Sequence, residues 1–431
     1  MRVAIPRPTA LRRLADTARV AGQLGFLSRS QWWDRERIRE WQKRRLAATL
    51  HHAVSCVPYY AGLDIDVSGG AEALGRFPLL TKDIIQAQDE RLRDRTFDPA
   101  TLYSSTTSGS SGQPTTTWFD REAWLLCKHA LKIRRTLAGG RALGGRLLIF
   151  GEPAPDDAPL APVPRNRLSH RELRLSVFLP ATEQHAALAA FRPTMIYGAP
   201  SALKALCDFA RERGLPLPAV AVVFLSSELI TPGLRAQLTQ DLRCRVIGVY
   251  GSTEFKEVAW QCVEGRYHIN FESVHVENLP PDTTDSEPRI ALTTLVNRAM
   301  PLIRFDIGDY GHVDDDPCTC GRESPWLRDL AGRRVEYLAL ADGRRISPYL
   351  LTTHIETVEG LRQYQIVQRG DGSLELRVVF RRDHDGRADT SERLRRLLEG
   401  LVGPKTPVRV AEQDAIRRTP AGKHQVVTRE P

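Results

Sequence analysis

The sequence predicts an α/β protein, with a large N-terminal α/β domain of several subdomains over residues 1–331 and a small α+β domain over 332–431. Three observations lead there. From about residue 146 to 251, short apolar runs alternate with amphipathic helical stretches, the pattern of parallel strands joined by crossover helices. A small-residue segment, Thr107-Ser-Gly-Ser-Ser-Gly-Gln-Pro-Thr115, precedes that alternation. After Ala331-Gly-Arg-Arg334 the character changes to a hairpin-like pair, a helix and a strand, a unit of about 100 residues that fits the usual domain size.

In chain order, the first element is a long amphipathic helix over 30–55, starting after Ser30 and carrying Trp33, Ile38, Trp41 and Leu46 on one stripe. Val57-Pro58 stops it, because the residue before proline is pushed out of helical conformation. That aromatic stripe is expected to be core. A charged helical segment follows Phe77-Pro-Leu-Leu-Thr81. The strands expected next are Arg146–Gly151, Met195–Gly198, Ala219–Leu225 and Arg245–Gly251. Between them lie helices over Ala199–Arg213, closed by Gly214, and Thr231–Leu242, with Thr231 as N-cap and Pro232 at the first helical position.

Ligands on parallel sheets sit at the carboxyl ends of the strands. Gly151, Tyr197-Gly198-Ala199-Pro200, Ser226-Ser227-Glu228 and Tyr250-Gly251-Ser252-Thr253-Glu254 stand at those ends, which points to one active cleft. In the C-terminal domain, Gln363–Arg369 and Ser373–Arg382 flank Gly370-Asp371-Gly372 as a hairpin, before a helix at about 390–402 and a strand at 408–412.

Composition narrows the function classes. The 431 residues are 42% hydrophobic, enough for a large core. The formal net charge is +9, but its arginines are spread along the chain as solvated faces, so no nucleic-acid partner is expected. No apolar run reaches the roughly 18 residues of a membrane span, and the start lacks the apolar core of a secretory signal. The seven cysteines are too few for a disulfide framework. A cytoplasmic protein without a membrane partner is the expectation.

The backbone N–H groups of the Thr107–Thr115 segment, with the hydroxyls of Ser108, Ser110 and Ser111, suit a nucleotide's phosphates; the same composition also suits a flexible linker. Cys262, His268, Cys318 and Cys320 form C-x5-H followed about fifty residues later by C-x-C. Three thiolates and one imidazole match a closed, structural tetrahedral Zn²⁺ site, with buried thiols as the alternative. Cys56, Cys127, Cys207 and Cys244 are expected to be core thiols, and His51, His52 and His129 structural.

Five ordered segments carry a resemblance: Thr107–Pro114, Tyr250–Glu254, Met300-Pro-Leu-Ile-Arg-Phe-Asp-Ile-Gly-Asp309, Gly332-Arg333 and Arg418-Thr-Pro-Ala-Gly-Lys423. Together they resemble the AMP-forming adenylating enzymes. The phenylacetate–CoA ligase and CapK-like branch looks nearest, on Ala53–Tyr60, Phe77–Lys82, Met300–Arg304 and Cys318–Arg322. The CapK-like members place Cys, His and Cys-x-Cys similarly.

The resemblance implies that ATP activates a carboxylic acid to an acyl-adenylate with release of pyrophosphate, and that the acyl group then passes to CoA. Interception by an amine or a carrier-protein thiol stays open, as does a non-catalytic nucleotide-binding scaffold; the joint presence of Glu254, Asp309 and Lys423 speaks against the scaffold. It further implies that Thr107, Ser108, Gly109, Ser110, Ser111 and Gly112 embrace the β- and γ-phosphates. Tyr250 then stacks on adenine within a nucleotide site that includes Gly251, Ser252, Ser227 and Glu228. Glu254, helped by Thr253, holds Mg²⁺, and Asp309 accepts from the ribose hydroxyls. Lys423 swings in with a mobile C-terminal domain to bridge the α-phosphate and the substrate carboxylate, while Arg333 contacts the nucleotide from the hinge side. Pocket candidates are Phe150, Gly151, Tyr197, Gly198, Ala199, Ser226, Ser227 and Val249, which lean toward an aryl or short acyl acid. Two positions depart from the pattern: Val335 replaces the common hinge residue, and Gln113 stands where many members carry lysine.

Overall fold

The computed structural model describes residues 10–106, 115–140, 145–151, 163–166, 170–280, 288–330, 338–340, 342, 345–346, 348–419 and 424–430. The chain forms two compact units. One comprises Met1–Gly140, Val249–Pro281 and Glu287–Leu330; the other comprises Arg141–Gly248, Asp282–Ser286 and Ala331–Pro431.

In the first unit the expected helix over 30–55 is present but starts later, as Arg35–Cys56, and a helix that was not foreseen, Ala10–Ser30, precedes it. The later start has a local cause. Asp34, in extended conformation, turns its carboxylate onto the Arg37 N–H at 2.8 Å and so starts the second helix. Val57 ends that helix in extended conformation ahead of Pro58. Ile38 and Leu46 are buried, and the Trp33 and Trp41 rings meet edge to face at 5.7 Å, so the stripe is core.

Strands Tyr103–Thr106 and Thr116–Phe119, which flank the Ser/Gly segment in sequence, pair antiparallel. Residues Val249–Ser252 of strand Arg245–Ser252 pair antiparallel with Lys256–Gln261, and the ladder continues through Tyr267–Ile269, Trp326–Arg328 and His312–Asp314. A separate three-stranded sheet joins Val274–Leu279, Arg289–Thr294 and Phe305–Tyr310. Their inward faces share a core that includes Leu50, Val258, Leu292 and Phe305. Helix Leu131–Ala138 is tied to this core by buried ion pairs, Arg134 to Glu272 at 2.7 Å and Arg135 to Glu257 at 3.0 Å. Removing one partner of such a pair costs about 3–5 kcal/mol, because the other charge stays buried.

The second unit bears out the expected alternation. Gly145–Gly151, Met195–Gly198, Val222–Leu225 and Arg245–Gly248 are parallel neighbours, with helices Pro200–Glu212 and Pro232–Leu242 between them in sequence. Thr231 caps its helix through the Leu234 N–H. Strand His170–Ser176, not foreseen, adds to the far side of Gly145–Gly151. The C-terminal strands run in the order Val408–Glu412, Leu374–Phe380, Leu361–Arg369, Val427–Glu430. Helix Arg387–Val402 adds Leu394 and Leu398 to their core. The expected hairpin, helix and strand are all present; Val427–Glu430, pairing in parallel with Ile366–Arg369, was not foreseen.

Candidate active site

Strand Arg245–Ser252 delivers one part of the site. A register irregularity falls between Tyr250 and Gly251, and a Cβ at Gly251 would overlap the Lys256 carbonyl, so only glycine allows this close approach. The Ser252 hydroxyl accepts from the Phe255 N–H at 3.1 Å and closes the turn that presents Thr253 and Glu254. Glu254 is almost fully buried and lines a small cavity with Phe119, Ser273, Thr294 and Asn297. Tyr250 Oη donates to Asp309 Oδ2 at 2.7 Å, which brings together two positions 59 residues apart. Gly308, at φ +78°, supplies the left-handed turn that sets Asp309.

Sequence reasoning missed Lys256. It occupies φ +65°, and its ammonium donates to the Thr253 carbonyl at 2.8 Å and to the Ser105 hydroxyl. The rings of Phe119 and Trp124 lie 5.0 and 5.3 Å from it. Burial pushes this ammonium down to about 7, and the Lys128 ammonium adds to the effect. Its only signal in the sequence is its place two residues after Glu254.

The other unit carries candidate residues at its own strand ends. The Ser226 N–H donates to the Gly198 carbonyl at 3.2 Å, and Ser227 sits at φ +77°, a strained conformation for a side-chain-bearing residue. Gly198 faces Phe150, where an added Cβ would stand 2.9 Å from the Phe150 Cβ. Phe150 and Val249 are both buried, each in its own unit, while Tyr197, Ala199 and Gly151 are half-buried.

The Glu228 carboxylate accepts from the Ser201 N–H at 2.8 Å, the Ser201 hydroxyl at 2.9 Å and the His424 N–H at 3.0 Å. Arg418 donates to the Ser201 hydroxyl at 2.7 Å and to its carbonyl at 3.1 Å. The residue after Lys423 is therefore anchored on a strand end, through partners that local sequence gave no reason to join. Thr107–Gly112, Gln113, Arg333, Val335 and Lys423 lie outside the described residues.

The Cys/His set converges in the first unit. Cys262, His268, Cys318 and Cys320 place their ligand atoms within 4.8 Å of one another. Cys262 Sγ lies 3.8 Å from Cys318 Sγ, and Cys320 Sγ lies 3.4 Å from His268 Nε2. Those are the edges of a tetrahedron with Zn–S of about 2.3 Å and Zn–N of about 2.0–2.1 Å, roughly 3.5–3.8 Å. His268 Nδ1 donates to the Ser324 carbonyl, leaving Nε2 as the donor atom toward the thiols. Burial pushes the imidazole down to about 4, so it stays neutral, the form that binds a metal.

No family model matches the chain. Over 386 residues, 79% of this chain and 80% of that protein, it is 27% identical to the phenylacetate-coenzyme A ligase of Thermus thermophilus. CapK of Staphylococcus aureus is 21% identical over 236 residues, 54% of this chain and 52% of that protein. These matches support the adenylate-forming superfamily, on its phenylacetate–CoA ligase-like branch. The adenylate-forming fold extends over nearly the whole chain. A crystal structure of 2-hydroxyisobutyryl-CoA ligase in the postadenylation state, in complex with R3-HIB-AMP, matches with a TM-score of 0.78 at 17% identity, covering 94% of this chain and 92% of that one. The same ligase with 2-HIB-AMP and CoA in the thioesterification state matches at 0.61 with 18% identity, over 93% and 91% of the two chains. Among the described residues, no helix of this chain is long and apolar enough to cross a membrane.

Proposed function

We propose that the chain uses ATP to activate a carboxylic acid and transfers the acyl group to CoA as a thioester. In the first step a carboxylate oxygen attacks the α-phosphorus and the bond to the bridging oxygen breaks, so pyrophosphate leaves and an acyl-adenylate remains. In the second the CoA thiolate attacks the acyl carbon and AMP departs. The observation that carries this reading is the hydrogen bond of Tyr250 to Asp309 beside the Glu254 turn. It brings an aromatic ring and a carboxylate together, which supports a nucleoside site there.

Asp309, held by Tyr250, accepts from the ribose hydroxyls, while the Tyr250 ring lies against adenine. The Thr107–Gly112 loop would embrace the β- and γ-phosphates, Arg333 would contact the nucleotide from the hinge side, and Gly251, Ser252, Ser227 and Glu228 would complete the nucleotide site. Glu254 finds no hydrogen-bond partner among the described residues, which suits it to a hard, oxygen-seeking cation, and with Thr253 it would hold Mg²⁺. A bound Mg²⁺ supplies charge neutralisation along the phosphates. Lys423 places its ammonium where negative charge gathers in the transition state, carried by the mobile domain 332–431. Gly151, Gly198, Ala199 and Ser226 shape the acid pocket with the aromatic Phe150 and Tyr197 and with Val249, favouring an aryl or short acyl acid. The Cys262, His268, Cys318 and Cys320 geometry supports a structural Zn²⁺, and reduced thiols of that kind support a cytoplasmic setting.

The test is a panel of carboxylic acids scored for pyrophosphate release, with CoA, amines or a carrier-protein thiol as acceptor. Acid-dependent pyrophosphate release with CoA-thioester formation is the expected result. Release of no pyrophosphate with any acid would remove the activity, and acyl transfer only to an amine or carrier protein would replace CoA as acceptor.

A further inference from the structure

We propose that the Lys256 ammonium, at the root of the Tyr103–Phe119 hairpin, receives the phosphate chain of the nucleotide, a role that rests on the adenylation reading above. The Ser/Gly segment Thr107–Thr115 contains no lysine or arginine, so it brings hydroxyls and N–H groups but no full charge to a highly charged ligand. Lys256 supplies a cationic group against the described strand that precedes the segment. Its Nζ donates to the hydroxyl of Ser105, two residues before that segment begins, on a strand whose end is closed by the Thr106 and Thr116 hydroxyls at 3.0 Å. Its other bond, to the Thr253 carbonyl, fixes it beside Glu254.

An ammonium has three N–H donors, and these two bonds use two of them. Among the described residues it has no carboxylate within ion-pair distance. Glu257, the nearest acid in sequence on the same strand, is taken by Arg135, and the other charged or titratable groups around Lys256 are Lys128, Glu254 and Cys127. The Phe119 and Trp124 faces stabilise the cation without neutralising it. A half-buried cation that lacks an anionic partner is costly, and an arriving phosphate removes the cost.

The backbone is built for this placement. Lys256 holds a left-handed conformation that a side-chain-bearing residue adopts at a penalty, and Gly251 has no Cβ to obstruct its carbonyl. A turn built only to link two strands would not require a lysine there.

Lys256→Met, Lys256→Gln and Lys256→Arg of the full chain test the role, with magnesium pyrophosphate, ATP and AMP titrated separately. The expected result is that Met and Gln weaken pyrophosphate and ATP at least ten-fold, leave AMP within about two-fold, and raise the KM for ATP but not for the acid. Arg, which keeps the charge, restores pyrophosphate binding. Equal pyrophosphate affinity in the wild type and a folded Met or Gln variant overturns the proposal. So does a parallel loss of AMP and pyrophosphate with a fall in melting temperature, because Lys256 would then only brace the hairpin. The two readings fail separately: a wild type that binds pyrophosphate through Lys256 but activates no acid sinks the ligase assignment alone. A wild type that forms adenylate with the same KM for ATP as Lys256→Met sinks the Lys256 role alone.

Discussion

The backbone N–H of His424 donates to Oε1 of Glu228 at 3.0 Å, so a strand-end glutamate holds the residue that follows Lys423. Ser201 donates to the same carboxylate through its N–H and its hydroxyl, and Arg418 grips Ser201. Glu228 is thus placed to set where the lysine's segment stands. Replacing it by glutamine keeps the shape but loses the charge that strengthens three hydrogen bonds. At about 1.5–3 kcal/mol for bonds to charged groups, Glu228→Gln should slow adenylate formation roughly 10- to 100-fold. Pyrophosphate exchange measures it, and a rate equal to wild type would show that this anchor is irrelevant to the first half-reaction.

Lys423→Ala should nearly abolish adenylate formation while ATP affinity and melting temperature stay close to wild type. The ammonium acts on charge that develops only in the transition state, so binding of the ground state gains little from it. Near-normal pyrophosphate exchange in this variant would refute the assignment.

Tyr250→Phe keeps the ring and removes the 2.7 Å bond to Asp309. Without the phenol, Asp309 loses the contact that orients its carboxylate, and the KM for ATP should rise about 10-fold with a smaller change in kcat. An unchanged KM for ATP would mean that the bond has no part in nucleotide binding.

Cys318→Ser should lower the bound zinc and the melting temperature together, since a structural metal contributes its binding energy to folding. The same result is expected on treating the wild type with a strong chelator. Wild-type protein that purifies free of metal and melts unchanged after chelation would leave the four residues as ordinary buried side chains.

Gly251→Ala places a methyl group against the Lys256 carbonyl in a turn that cannot yield without moving Glu254. Activity should fall more than a hundred-fold, an outcome on the scale of a small misplacement of positioning groups. Activity within a few-fold of wild type would show that the turn relaxes freely.

The alternating strands and helices between 145 and 252 were legible because each element carries its own signal: an apolar run, a proline at the first helical turn, a capping threonine. Thr231 and Pro232 start their helix as the sequence indicates. The later start at Arg35, capped by Asp34, was not seen, because Ser30 and Asp34 are both good caps and the aromatic stripe begins between them. Strands His170–Ser176 and Val427–Glu430 were missed for a different reason: each is stabilised by pairing with a distant neighbour, Gly145–Gly151 and Leu361–Arg369 respectively. The Cys/His set was found by residue type alone, since few residues other than cysteine and histidine offer soft donors at such spacing.

The sequence by itself determined the residue chemistry and the local elements. The Ser/Gly segment, the Tyr250–Glu254 turn, Asp309, Lys423 and the four soft ligands are all visible as strings of letters, because propensity, capping and ligand type are properties of neighbouring residues. Only the tertiary structure decided which of them meet. Tyr250 finds Asp309 across 59 positions, Glu228 finds His424 across 196, and Lys256 finds Ser105 across 151. Those pairings depend on how sheets stack their strands and where buried polar groups find partners, a matter of packing that no local stretch of chain encodes.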